Sequence, residues 1–266
     1  MGIDIVRLLG VSSVNQNYSI NPNLHNGYVR FGQNIDGDTF QSTTINRYTS
    51  EAAIVNMIKS NPDIVKILRK EGVPLEVNIS GLKQVLNTHG TDTKNIASGI
   101  ITNLPFSLRD RVNEQAVTDA AYLHDLGKVL IPKEILYKDG KLSPKETNIM
   151  HLHSELGYQL LKTTDINTAT LNLIRYHHQN QLKSGYPFAD KDFTADLNQQ
   201  IVSVADKYSA LREARSYKAK MTKEEALTII HKDVAEGKLH PFIFKALVDY
   251  ANSLDNTAEL SVQRLS

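Results

Sequence analysis

Ala120-Ala121-Tyr122-Leu123-His124-Asp125-Leu126-Gly127-Lys128 is the stretch on which the reading of this chain turns. An apolar helical run ends there in a histidine, an aspartate, a glycine and a lysine. An imidazole and a carboxylate one residue apart can both reach a cation where a helix closes, and a glycine lets the backbone turn so that Lys128 points back at the same spot. The His-Asp dipeptide settles nothing alone. Adjacent His and Asp are common, and a hydrogen-bonded core pair is the ordinary alternative.

Upstream, Val112, Ala116, Val117, Ala120, Ala121, Leu123 and Leu126 make a wide apolar stripe at helical spacing, with Ser107 as its N-cap. Downstream, Val129-Leu130-Ile131-Pro132 is too short for a helix and reads as a tight extended link. Beyond it, helix follows helix. Ser143-Pro144-Lys145-Glu146 joins a cap, a first-position proline and an acid at the third position, opening a helix that carries Ile149, His153 and Leu156. Another runs from about Thr168 to His177-His178. A loop with Gly185 and Pro187 follows, then a helix from near Thr194 through Val204 and Asp206. Thr222 restarts helix, and Pro241 opens a last one to about Leu254.

Toward the start of the chain, Leu82, Val85 and Leu86 lead to His89, and Ile96, Ile100 and Ile101 continue on one face. Ser50 and Asn61-Pro62 cap two short helices that stop at Gly72, read as a packing pair without chemistry. Residues from about Ser12 to Thr49 are polar and aperiodic, and Tyr28 to Phe31 could make one short strand or dock an aromatic on the main body. Strand patterns are otherwise nearly absent, and no repeat suggests a solenoid. The expected fold class is all-α. Its parts are an irregular arm over 1–49, a short helical pair over 50–78, a main domain over 79–256 and a tail over 257–266.

With 266 residues, 41% of them hydrophobic, the chain can bury one large core and at most a small appendage. The balance of 30 basic against 29 acidic residues gives no electrostatic argument for a nucleic-acid polymer or a membrane surface. Cysteine is absent, so disulfides, thiolate ligands and a cysteine nucleophile are excluded, and metal ligands can only be His, Asp and Glu. No run approaches the roughly 18 apolar residues of a membrane span, and the first residues lack the blocks of a signal peptide. Val6 stands where a myristoylation motif wants Ser or Thr. The expectation is a soluble, cytoplasmic protein.

His89, His124-Asp125, His153, His177-His178 and Asp206 each fall on or at the end of a separate predicted helix, several in apolar company. Carboxylates on apolar faces are costly unless paired or metal-bound. Helix bundles build dinuclear sites from side chains facing inward off different helices. Nitrogen and oxygen donors suit iron, manganese, zinc or nickel more than copper, and the set is too rich in imidazole for magnesium or calcium. Two cations about 4 Å apart, bridged by a carboxylate and a hydroxide, would activate a nucleophile and neutralise a phosphate together. The pattern favours phosphate-ester hydrolysis.

As an ordered set, His124-Asp125-Leu126-Gly127-Lys128-Val129-Leu130-Ile131-Pro132, Gly140-Lys141-Leu142, His153 with Gly157, His177-His178, Gly185-Tyr186-Pro187, and Val204-Ala205-Asp206 with Arg215 and Tyr217 resembles the HD-GYP branch of the HD-domain phosphohydrolases. The resemblance covers residues from about 80 to 250. It implies an HD-domain helical bundle with a dinuclear centre, and a metal-dependent phosphodiesterase that hydrolyses a cyclic dinucleotide, foremost cyclic di-GMP, through a hydroxide between two divalent ions. Iron or manganese come first; zinc and nickel remain compatible.

The resemblance assigns His89, His124, Asp125 and Asp206 to one ion and Asp125, His153, His177 and His178 to the other, with Asp125 bridging. Lys128 is expected at the scissile phosphate and, with Asp125, in catalysis. Tyr186, Arg215 and Lys218 are expected to bind substrate. Plainer roles stay open: Lys128 as a helix-end cap, Arg215 and Lys218 as solvated charges, Tyr186 as a structural aromatic. Another phosphate ester as substrate, a non-hydrolytic nucleotide-binding module, and a homodimer are the other readings the sequence allows.

The chain departs from the family pattern at named places. Gln179 stands where the family has a glutamate, Leu182-Lys183 where it has Asp-Gly, and Ser209 where it has an aspartate. Arg215-Ser216-Tyr217 lacks the usual proline, and Val85 replaces the glutamate of three-metal members, which points to two ions. These changes leave every expected ligand in place and alter what surrounds it. His151, two positions from His153, is expected on the outer surface of its helix. His25, His231 and His240 are expected to be ordinary polar residues.

Overall fold

Capping side chains set where the helices begin. Ser50 accepts from the Ala53 amide and starts α1 (Glu51–Ser60), and Asn61 accepts from Asp63 and starts α2 (Pro62–Lys70). This computed structural model describes residues 3–4, 47–213 and 220–263, so the strand expected at Tyr28 to Phe31 lies outside the described residues. Asn78 caps α3 (Ile79–Val85), which continues through a wider π-type turn, Leu86–Gly90, into α4 (Thr91–Asn103).

The apolar stripe that ends in His124-Asp125 is split in two. Ser107 lies inside the single-turn α5 (Phe106–Arg109) and cannot cap it, whereas the Asn113 side chain accepts from the Ala116 amide and starts α6 (Glu114–Leu123). The expected extended link is also shorter than the sequence suggests. Leu126–Leu130 wind into a 3-10 turn, and extended backbone is left only at Ile131 and Pro132, Ile131 being the residue whose helical conformation the Pro132 ring disfavours.

After the single-turn α7 (Lys133–Leu136), Ser143 and Glu146 form the complete capping box of α8 (Pro144–Leu161). Asn167 caps α9 (Thr168–Tyr176), Asp196 caps α10 (Leu197–Arg212), and Thr222 with Glu225 caps α11 (Lys223–Ala235). The last helix, α12 (Pro241–Gln263), continues past Leu254 through most of the expected tail. Near the chain start, β1 (Ile3–Asp4), inside the stretch expected to be an irregular arm, pairs antiparallel with β2 (Glu76–Val77), at the end of the stretch expected to be a helical pair.

The described chain is otherwise helical, as the sequence led us to expect. α4 lies at the centre, packed against α6, α10 and α12, while α8 packs on α9 and the 3-10 turn. Ile100, Val117, Leu126, Leu156, Ile174 and Ile201 are almost fully excluded from water, each contributing on the order of 1.5–3 kcal/mol. Ile54, Ile64 and Leu68 of α1 and α2 join this same core. Asn61 Nδ2 also donates to the Gln159 carbonyl at 2.7 Å and to its side-chain oxygen at 2.9 Å, tying the helical pair to α8. Among the described residues no helix is long and apolar enough to cross a membrane.

Candidate metal centre

α6 ends just before His124, and the tight winding of the 3-10 turn carries Lys128 back so that its Nζ lies 2.5 Å from Asp125 Oδ2. Gly127 serves a different purpose from the turn expected of it. Its φ is not in the left-handed range. A Cβ there would instead stand 1.9 Å from the His153 carbonyl oxygen and 2.5 Å from the Gly157 nitrogen. The missing side chain lets the turn press against α8, which puts Asp125 Oδ1 3.4 Å from His153 Nε2.

His89, His124, Asp125, His153, His177, His178 and Asp206 all converge. Asp125 Oδ2 lies 3.4 Å from His124 Nε2 and 3.8 Å from His89 Nε2. Asp206 Oδ1 is 2.9 Å from His89 Nε2 and 3.5 Å from His124 Nε2, and its Oδ2 is 3.7 Å from His178 Nδ1. His153 Nε2 stands 3.2 Å from Nε2 of both His177 and His178. Arg215 and Lys218 lie outside the described residues.

The backbone aims most of these rings. Nδ1 of His124, His153 and His177 donates to the carbonyl three residues back, Ala121 at 2.8 Å, Met150 at 2.7 Å and Ile174 at 2.7 Å. A ring whose Nδ1 donates outward keeps Nε2 for the centre. His89 Nδ1 meets Ser209 Oγ at 3.1 Å instead. Ser209, one of the departures, thus takes a supporting position in which the family has a carboxylate.

Burial pushes His153 down to about 3 and His178 to about 4, and holds His177 well below the usual imidazole range, so these rings are neutral donors near pH 7. Burial opposes charge on Asp125 and Asp206 as well. Lys128 and His124 outweigh it at Asp125, as His124 and His89 do at Asp206, and both carboxyls sit well below their ordinary value. His124 is depressed by burial, yet the Asp125 and Asp206 carboxylates raise it to about 10.

These residues fit divalent cations. His124 Nε2 is buried with no hydrogen-bond partner among the described residues, and His153 Nε2 faces Nε2 of both His177 and His178 at 3.2 Å. Two donors each ~2.1 Å from one ion, at octahedral to tetrahedral angles, stand roughly 3.0 to 3.4 Å apart. Three overlapping groups could hold an ion: His89, His124 and Asp206; His124, Asp125 and His177; and His153, His177 and His178.

A cleft of about 700 Å³ opens onto Asp125, Lys128, His153 and Asp206, with Tyr137 and Tyr186 on its walls and apolar Val85 beside His89. Its volume suits a small-molecule ligand. Glu213 also faces it, with Oε2 3.8 Å from His89 Nδ1. Sequence reading missed this carboxylate, although its place two helical turns after Asp206 is a signal for it.

Two other residues differ from expectation or gain a role. His151 is not an outer-surface residue; its ring stacks on Tyr186, with centroids 3.7 Å apart and planes 11° from parallel. The periodicity of α8 cannot reveal this, because the loop carrying Tyr186 comes from elsewhere and folds over that face. Gln179, another departure, is buried; its Nε2 donates to the Pro187 carbonyl at 2.5 Å and its Oε1 accepts from the Gly185 amide at 3.1 Å.

The model of a family described as HD domain matches residues 79–241, which takes in every converging residue from His89 to Asp206. The chain belongs to the HD-domain family. Its HD domain is similar to part of the cyclic di-GMP phosphodiesterase response regulator RpfG of Xanthomonas campestris, 40% identical over 115 residues, 42% of this chain and 30% of that protein. The 3'3'-cGAMP-specific phosphodiesterase 1 of Vibrio cholerae is 30% identical over 135 residues, 51% of this chain and 31% of its own. A cyclic di-GMP phosphodiesterase of Thermotoga maritima is 37% identical over 123 residues, 46% of this chain and 33% of its own. The HD-domain chain matches about a third of the length of each of these relatives.

Proposed function

We propose that the protein is a metal-dependent phosphodiesterase that hydrolyses a cyclic dinucleotide, with cyclic di-GMP as the first candidate and two divalent transition-metal ions, iron or manganese, as cofactors. One observation carries this reading: buried Asp125 turns one oxygen toward His124 and His89 and the other toward His153. In that posture Asp125 would be available to both an ion held by His89, His124 and Asp206 and one held by His153, His177 and His178. The relatives' names, which specify cyclic di-GMP and 3'3'-cGAMP, support the substrate class.

The ions, when bound, supply Lewis-acid polarisation and an attacking water of lowered pKa. The chain supplies the rest. Carbonyl-anchored rings hold the donors still, which lowers the reorganisation needed on reaction. The Lys128 ammonium, beside Asp125 on the cleft wall, neutralises charge growing on a phosphoryl oxygen. Tyr186 contributes to the wall that receives the substrate. Contacts from Arg215 and Lys218 to phosphate or guanine are proposed from the family resemblance alone.

Protein loaded anaerobically with iron or manganese should convert cyclic di-GMP to the linear dinucleotide or GMP, and Asp125→Ala should not. Preferential turnover of 3'3'-cGAMP would reassign the substrate within the class. No turnover of any phosphodiester by protein carrying two ions would overturn the enzyme reading in favour of a binding module.

A further inference from the structure

We propose that His151 and Tyr186 form a positioning stack that sets the ring plane of His178. Affinity for the ion that His153, His177 and His178 would hold then depends on His151, a residue outside that ligand set. The inference rests on the reading of those three histidines as metal ligands.

His178 is supported unlike the other imidazoles. His124, His153 and His177 each have Nδ1 tied to a backbone carbonyl, and His89 has Nδ1 tied to Ser209. Among the described residues, the His178 ring nitrogens meet only other members of the centre: Nε2 faces His153 Nε2 at 3.2 Å, and Nδ1 faces Asp206 Oδ2 at 3.7 Å. No outward hydrogen bond among the described residues fixes its rotation. Its face is instead covered by Tyr186, with centroids 4.4 Å apart and planes 33° apart.

Tyr186 is in turn backed by His151 on its stacked face. His151 and His153 both belong to α8, so one rigid helix reaches His178 twice, edge-on through His153 and face-on through Tyr186. Aromatic contacts at these separations are directional and resist rotation about χ2. The backbone reinforces the arrangement. His178 and Tyr186 form an isolated antiparallel bridge, and a Cβ on Gly185 would lie 1.9 Å from the His178 carbonyl oxygen, so only glycine lets the loop pass this closely. Gln179 holds Gly185 and Pro187 on either side of Tyr186.

Supporting partners of metal ligands are commonly worth about tenfold or more in affinity. The test is titration of metal-free protein with Mn²⁺ by calorimetry, with thermal unfolding of each variant alongside. Wild type should show two binding steps. His151→Leu, which keeps bulk but loses the flat ring, should weaken one step by about tenfold and leave the other within about twofold, without lowering the melting temperature of the metal-free protein. His151→Phe should restore the weakened step, because a flat ring suffices. Wild-type steps in His151→Leu, equal weakening of both steps, or failure of His151→Phe to restore would each overturn the stack's role. Wild type that takes up one ion or none would overturn the two-ion reading on which the inference rests.

Discussion

Ser209 Oγ lies 3.1 Å from His89 Nδ1, joining α10 to the π-type turn at the edge of the centre. The contact shows how a chain that departs from its family pattern can still hold the ring. A hydroxyl supports His89 with less negative charge than a carboxylate would bring, and Glu213 stands nearby at 3.8 Å. Ser209→Ala should therefore lower affinity for the ion at His89 by about tenfold while the fold is kept. Mn²⁺ titration checks this, and unchanged affinity would count against an orienting role.

Lys128 separates metal holding from phosphate chemistry. Its ammonium touches Asp125 Oδ2 but also faces the cleft. Lys128→Met should leave two ions bound, by elemental analysis, and lower kcat by on the order of 10²-fold. Loss of an ion in that variant would mean that Lys128 serves mainly to hold Asp125.

The metal-free protein should be squeezed from both sides of neutrality. Burial holds His153 at about 3 and His178 at about 4 in the folded chain, below the ~6.5 of a free imidazole. The unfolded chain thus binds more protons in that window. Stability falls as pH drops from ~6.5 toward 4, by up to about 1.4 kcal/mol per pH unit for each ring. His124 has the opposite sign. Burial disfavours its charge, but Asp125 and Asp206 raise it to about 10, so its contribution is complete below ~6.5 and is lost as pH rises toward 10. Melting temperatures of the metal-free protein should peak near pH 6.5. Binding Mn²⁺ at pH 7.5 should expel the His124 proton, which buffer-dependent heats will register.

Gln179→Glu would put the family's residue back and should still destabilise this chain. The amide donates to Pro187 and accepts from Gly185 at once. An ionised carboxylate has no proton for the Pro187 carbonyl, leaving a buried clash of acceptors worth about 1–3 kcal/mol. The melting temperature should fall by several degrees. An unchanged value would show that the loop rearranges freely.

Much of this architecture can be read from local residues. Ser143 with Glu146, Asn61 with Pro62, and Thr222 with Glu225 mark helix starts because a cap acts within one turn. The donor set from His89 to Asp206 is legible for another reason: imidazoles and carboxylates on apolar helices need partners, and without cysteine few other donors exist. Ser107 misleads because serine caps a helix about as well as asparagine, and only the folded backbone selects Asn113 over it.

The remaining features depend on which surfaces meet. Gly127 carries no sign in the sequence that it faces the His153 carbonyl, and α8's periodicity alone puts His151 outside. Nothing local announces that Ser209 will reach His89 across 120 residues or that Gln179 will clasp a loop. Residue type dictates which groups can donate, ligate or cap, since that chemistry belongs to the side chain and its near neighbours. Ring planes, close backbone approaches and supporting hydrogen bonds arise only when distant segments pack, because their energies exist only at contact distance.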